Sequence, residues 1–199
     1  MPAHYPKVAA RTADEIARHF ALEEPAQALL RPGMAPGQFV DALLQRELHA
    51  DAARFLAHGL PRREAVWWSC LAARASLTPA TKPAALNALR AAEAWAVQPT
   101  EENRWAAQAA SEAAKLEGPS ALAAMAAFLA GPSLIRPTPP APGAPPPQPV
   151  PPDPFLTAKV VSSAILIAAV TGDPAQTQTR WRHFLAQGID VANGGTGTR

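Results

Sequence analysis

The sequence is poor in the residues that make covalent frameworks, sheets and metal centres. Its 199 residues include one cysteine, Cys70. That excludes an intramolecular disulfide and any site built on several thiolates, and a reducing cytoplasm is the expected compartment. Aromatic residues are only 6% of the chain, whereas hydrophobic residues are 48%, with alanine the largest contributor. Strands favour β-branched and aromatic side chains and helices favour alanine, so a β-sandwich is excluded and an all-α fold of closely approaching helices is predicted. Neither charge sign dominates: 18 Lys and Arg face 16 Asp and Glu, for a net charge of +2. This balance lacks the strong field of a nucleic-acid binder, and no nucleic-acid partner is expected. The longest apolar run, residues 160–170, is bracketed by Lys159 and Gly172-Asp173-Pro174. It falls short of the ~20 residues that a bilayer requires, so no membrane span is expected. The opening residues Met1 to Lys7 lack the apolar centre of a signal peptide. The histidines His4, His19, His49, His58 and His183 form no close ligand pattern, and no metal or other cofactor is implied.

Proline is abundant, with 23 residues, and it divides the chain. Residues 1–130 read as the main helical domain, 131–153 as a proline-rich linker, 154–190 as a C-terminal helical hairpin, and 191–199 as a flexible Gly-rich tail. Prolines fix φ and remove backbone donors, so residues 137–152 are expected to be extended, reaching roughly 50 Å as polyproline II. The hairpin is too small to bury its own apolar surface and is expected to pack back on the first part. The architecture is therefore a helical bundle or a short α-solenoid-like array.

Helix signals are dense on both sides of the linker. Thr12 and Glu15 read as a capping box for a first helix interrupted near Pro25. Apolar residues at spacings of three and four from Gln38 to His58 predict a helix, either continuous or broken near Asp51. Pro61 opens a helix from Arg62 to about Leu77, and others are expected over 83–97, Glu101 to Leu116, from Ser120, over 155–171 and from Ala175 to Gln187. Thr100 is the expected cap of the Glu101 helix. Phe55-Leu56-Ala57-His58-Gly59-Leu60 is matched in kind by Phe184-Leu185-Ala186-Gln187-Gly188-Ile189. Both segments read as helix endings at which glycine takes positive φ.

The least ordinary stretch runs from Leu60 to Arg74 and contains Arg62-Arg63-Glu64 and Trp67-Trp68. Successive helical residues lie about 100° apart, so the two tryptophans cannot share a face. Trp67 is expected to anchor the core. Arg62, Arg63 and Trp68 are the candidate partner-binding surface, because Trp and Arg are enriched among binding hot spots. No residue is a catalytic candidate. Cys70 sits mid-helix among apolar neighbours and reads as inert. Glu23-Glu24 and Glu101-Glu102 stand at helix ends, where the dipole stabilises negative charge. Gly194 to Gly197 lacks the strand, lysine and helix of a phosphate loop. Arg180, Arg182 and His183 around Trp181 do not extend into a basic groove.

The segment Leu60 to Cys70, the later Ala94-Trp95 with Pro99 to Arg104, and the proline linker before an apolar helix together resemble an uncharacterised bacterial all-helical family. The resemblance covers about Gln38 to Ile189. That family is loosely linked to type VI secretion gene neighbourhoods and supplies no catalytic motif to carry onto these positions. It implies an accessory role. The expected function is accordingly that of a soluble, cytoplasmic, non-catalytic interaction module, an adaptor or chaperone accessory to a bacterial secretion apparatus. Its expected partner is another protein, such as a secretion-system component, and the oligomeric state is left open by the sequence. The alternatives are an enzyme whose site is assembled from distant helices, and a membrane-associated protein using residues 160–170.

Overall fold

The computed structural model describes residues 5–136 and 148–198, and among these the regular structure is entirely helical. The expected extended course of residues 137–147 lies outside the described residues. The helices are α1 (Ala13–Ala17), α2 (Glu24–Gln27), α3 (Pro36–Gln45), α4 (His49–Gly59), α5 (Arg62–Ala75), α6 (Pro83–Val97), α7 (Glu101–Ala113), α8 (Gly118–Leu129), α9 (Leu156–Val170) and α10 (Thr177–Ala192). A 3-10 turn, Pro174–Gln176, precedes α10.

Local chemistry sets most of the boundaries. Pro36, Pro83 and Pro119 sit in the first turns of α3, α6 and α8, where a missing N–H costs nothing. Thr100 caps α7, its Oγ1 accepting from the Asn103 N–H at 3.2 Å. At α1 the expected capping box is replaced by another arrangement. Glu15 accepts from the Arg11 N–H at 3.1 Å and from the Thr12 hydroxyl at 3.4 Å, and Thr12 makes no cap bond. The apolar stripe from Gln38 to His58 breaks ahead of Asp51: Glu47 takes φ 57°, and the Leu48 N–H closes back on the Leu43 carbonyl at 2.9 Å. A left-handed pair, Lys115 and Leu116 at φ 58° each, ends α7 earlier than its apolar pattern suggests.

The core centres on α5 and α9. Helix α9 packs against α8, α5, α4 and α10, and α5 additionally against α6. The second part of the chain therefore closes back on the first. On α9, Val161, Ala164, Ile165, Ala168 and Ala169 are fully buried, while Leu166 and Val170 face outward. The partner helix α8 contributes buried Ala121, Ala123, Ala124, Ala126 and Ala127, small enough for the backbones to approach closely. No helix of the described residues is long and apolar enough to cross a membrane.

Arg104 is 1% exposed yet satisfied. It donates to Glu101 Oε1 and Oε2 at 2.8 and 2.7 Å and to the Phe128 carbonyl at 3.0 Å, and the Trp105 and Phe128 rings flank it. A Cβ on Gly131 would collide with its Cδ. The Arg104 hydrogen bonds hold the Glu101 carboxyl below the usual carboxylate range.

Two sequence expectations are corrected. Gly59 and Gly188 are not left-handed caps, since both lie within helices and neither has positive φ. Each is instead a point of close approach: a Cβ on Gly59 would stand 3.0 Å from Ile16 Cδ1, and one on Gly188 would stand 2.5 Å from Trp68 Cε2. Helix α10 consequently runs on to Ala192. After α10 the chain turns back in a hydrogen-bonded loop over 193–198. The Asp190 carboxylate accepts from the Gly197 N–H at 2.8 Å, and the Asp190 carbonyl accepts from the Gly195 N–H at 2.8 Å. Gly194 and Gly197, at φ 88° and 74°, supply the backbone geometry that this return requires.

Candidate functional site

The three candidate residues of α5 diverge. Trp68 is fully buried, and its indole Nε1–H donates to the Phe184 carbonyl at 2.7 Å. Its expected place on a partner-binding surface is therefore corrected. Helix α5 is covered by α6, α8, α9 and α10, and the direction that Trp68 takes is occupied by α10 at the missing Cβ of Gly188. Trp67, expected in the core, is only half-buried, and its indole donates to the Thr196 carbonyl at 2.8 Å. The two tryptophans thus exchange their expected positions.

Arg63 remains at the surface, on the wall of a groove of about 320 Å³ lined by Lys7, Arg63, Glu64, Trp67, Val97 and Gly194 among others. Its guanidinium donates to the Ala96 carbonyl at 2.6 Å and the Val97 carbonyl at 3.2 Å, satisfying acceptors that the end of α6 leaves open. Lys7 pairs with Glu64 at 3.2 Å, and its backbone N–H donates to the Ala192 carbonyl at 3.0 Å. The groove is thus built where the two ends of the chain meet α5. Its wall includes an apolar side chain with little cover, Val97 at 68% exposure.

Arg62 turns to a different cavity. It donates to the Ala130 and Pro154 carbonyls, both at 3.3 Å, tying the end of α8 to the segment that leads into α9. Arg62 and Arg63 therefore belong to separate concavities, and the three candidates form no common surface.

Cys70 is fully buried, and burial pushes its thiol above the ordinary range, consistent with an inert side chain. Among the described residues, no three His, Cys, Asp or Glu side chains gather as a metal site. Sequence reasoning missed the tail loop and its Asp190 clasp. The glycine spacing carried no distinguishing signal, because glycines in a loop and in a disordered tail look alike until an acceptor for their amides is identified.

A family model, described as a family of unknown function, DUF6931, matches residues 39–192, and the chain belongs to that family. No curated protein and no solved structure matches the chain.

Proposed function

We propose that this member of DUF6931 is a non-catalytic protein-interaction module whose groove beside α5 receives an extended, acidic segment of a partner protein. An adaptor or chaperone accessory to a bacterial secretion apparatus, acting in the cytoplasm and related to type VI systems, is the cellular role we assign to it. The observation that carries the reading is the groove itself: exposed Val97 beside half-buried Trp67, with Lys7 and Arg63 at the same site and Glu64 already paired with Lys7. Apolar surface with cationic groups around it suits a segment that alternates apolar and acidic side chains.

The test is capture of partners by the full chain from its native host, followed by titration of the purified partner against wild type and two variants. Val97→Asp places a carboxylate in the groove, and Lys7→Glu reverses a rim charge. Each is expected to weaken binding at least tenfold while leaving the thermal midpoint nearly unchanged, because Val97 and Lys7 are exposed. Equal affinity of both variants and wild type for the partner would sink the proposed groove.

A further inference from the structure

Helix α9 packs inward against four helices, and what it leaves exposed falls on one stripe. The exposed residues of α9 are Lys159, Ser163, Leu166 and Val170, at spacings of four, three and four. That is the heptad spacing with which one helix meets another along its length. Leu166 is 41% exposed and Val170 53%, and half-buried Val160 and Ile167 flank them.

The stripe lacks the charges that keep a helix face in water. No Asp, Glu, Lys or Arg occurs from Val160 to Gly172, whereas the exposed faces of α6 and α7 carry Arg90, Glu102 and Glu112. Its hydroxyls are turned back on the helix: Ser162 and Ser163 both donate to the Lys159 carbonyl at 2.9 Å, and Thr171 donates to the Ile167 carbonyl at 2.7 Å. A surface that covers the stripe therefore strips water from hydroxyls that already have an acceptor, and the cost of burying them is small.

The ends of the stripe indicate what covers it. Lys159 stands seven positions before Leu166, and Asp173 seven positions after it. Seven residues are close to two helical turns, so Lys159 lies on the same side of α9 as Leu166, about 10 Å away. Asp173 is exposed in the turn just beyond the other end of the helix. When two copies of α9 run antiparallel with Leu166 against Leu166, Lys159 of each copy comes opposite Asp173 of the other. A parallel pair would instead set Lys159 against Lys159. The face is thus complementary to itself in the antiparallel sense alone, as a two-fold contact between identical patches requires.

Neither charge is held elsewhere by a strong bond. Lys159 lies 3.9 Å from Asp153, a loose pair with both side chains 53% exposed, and such pairs hold little energy. Asp173 accepts the Ala175 N–H through Oδ1 at 3.0 Å, and an ionised carboxylate keeps further acceptor sites for a lysine.

We propose that the outward face of α9 is a self-association surface, through which two copies of this chain pair antiparallel about a two-fold axis at Leu166. No residue of the stripe lines the groove beside α5, so the pairing stands independently of the partner segment proposed for that groove. A single helix seam is smaller than the ~800 Å² that each partner of a standard interface buries, so the dimer is a weak one that forms at micromolar concentrations or above.

Sedimentation equilibrium of the full chain at low salt, from micromolar to millimolar concentration, reads the association. Wild type is expected to pass from monomer to dimer and no further. Leu166→Asp sets two carboxylates face to face at the axis and should weaken the dimer at least tenfold. The thermal midpoint of the dilute variant should stay nearly unchanged, because the side chain is exposed in the monomer. Charge reversal reads the register. Lys159→Glu and Asp173→Lys should each weaken self-association several-fold, and an equimolar mixture of the two should associate as wild type does, because in the mixed pair the two reversed charges face each other. A chain that stays monomeric throughout, undiminished pairing of Leu166→Asp, or a mixture that associates no better than its components would overturn the proposal. Binding of the wild-type monomer to anionic lipid vesicles in place of pairing would also overturn it and assign the face to a membrane surface.

Discussion

Gly188 shows how one missing methyl group can decide where a large side chain goes. With no Cβ at 188, the Trp68 indole lies against the α10 backbone and donates to the Phe184 carbonyl one turn earlier. In Gly188→Ala the new methyl would stand 2.5 and 2.6 Å from Cε2 and Cζ2 of a fully buried indole, so the ring must move and its hydrogen bond must lengthen or break. Overpacking of this kind costs about 1–3 kcal/mol, against the roughly 1 kcal/mol that the better helix propensity of alanine returns. Denaturant unfolding should therefore show Gly188→Ala to be less stable than wild type at an unchanged slope. A gain in stability would mean that the contact yields more easily than its distances imply. The local pattern Phe-Leu-Ala-x-Gly-aliphatic is the same for a left-handed cap and for a helix crossing. What separates them here is Trp68, far away in sequence, and no local reading of residues 184–189 contains it.

At the scale of elements, proline and cap chemistry made much of the helix map legible. Pro83 and Val97 bound α6 as expected, Arg62 opens α5, and α9 occupies the predicted apolar stretch. Boundaries set by left-handed residues other than glycine were hidden, because Glu47, Lys115 and Leu116 carry no signature of positive φ. The faces of α9 were also hidden, since its sequence is apolar nearly all round. The structure buries Ile165 completely and leaves its neighbour Leu166 41% exposed. Two substitutions one residue apart are therefore expected to behave very differently. Ile165→Asp loses packing and buries an unpaired carboxylate, for a cost of about 3–5 kcal/mol and loss of cooperative folding. Leu166→Asp leaves its charge in water and should cost less than about 1 kcal/mol. Thermal melts of the two variants make the comparison, and similar destabilisation in both would show that the outward face of α9 is covered in the folded protein.

For the molecule as a whole, the two ends of the chain close over α5. The Lys7 N–H reaches the Ala192 carbonyl, Lys7 pairs with Glu64, Trp67 reaches the Thr196 carbonyl, and the Asp190 carboxylate holds Gly197. That closure makes the groove, so the candidate site was legible only in part: Arg63 stood out in the sequence, but Trp67 was expected in the core and the opposite wall came from a tail whose composition resembles disorder. Asp190 is the residue on which the tail wall depends. Removing its carboxylate in Asp190→Ala takes away the acceptor of the Gly197 N–H, a charge-assisted bond in a partly buried setting worth about 1–2 kcal/mol. The loop over 193–198 should then open locally without unfolding the helices. Hydrogen exchange at the two indoles reads this directly. Exchange at Trp67 Nε1–H, whose acceptor is in the loop, should accelerate at least several-fold in the variant. Exchange at Trp68 Nε1–H, whose acceptor is in α10, should stay as in wild type. Acceleration of both would place Asp190 in the global fold, and acceleration of neither would show that the tail holds its position without the clasp.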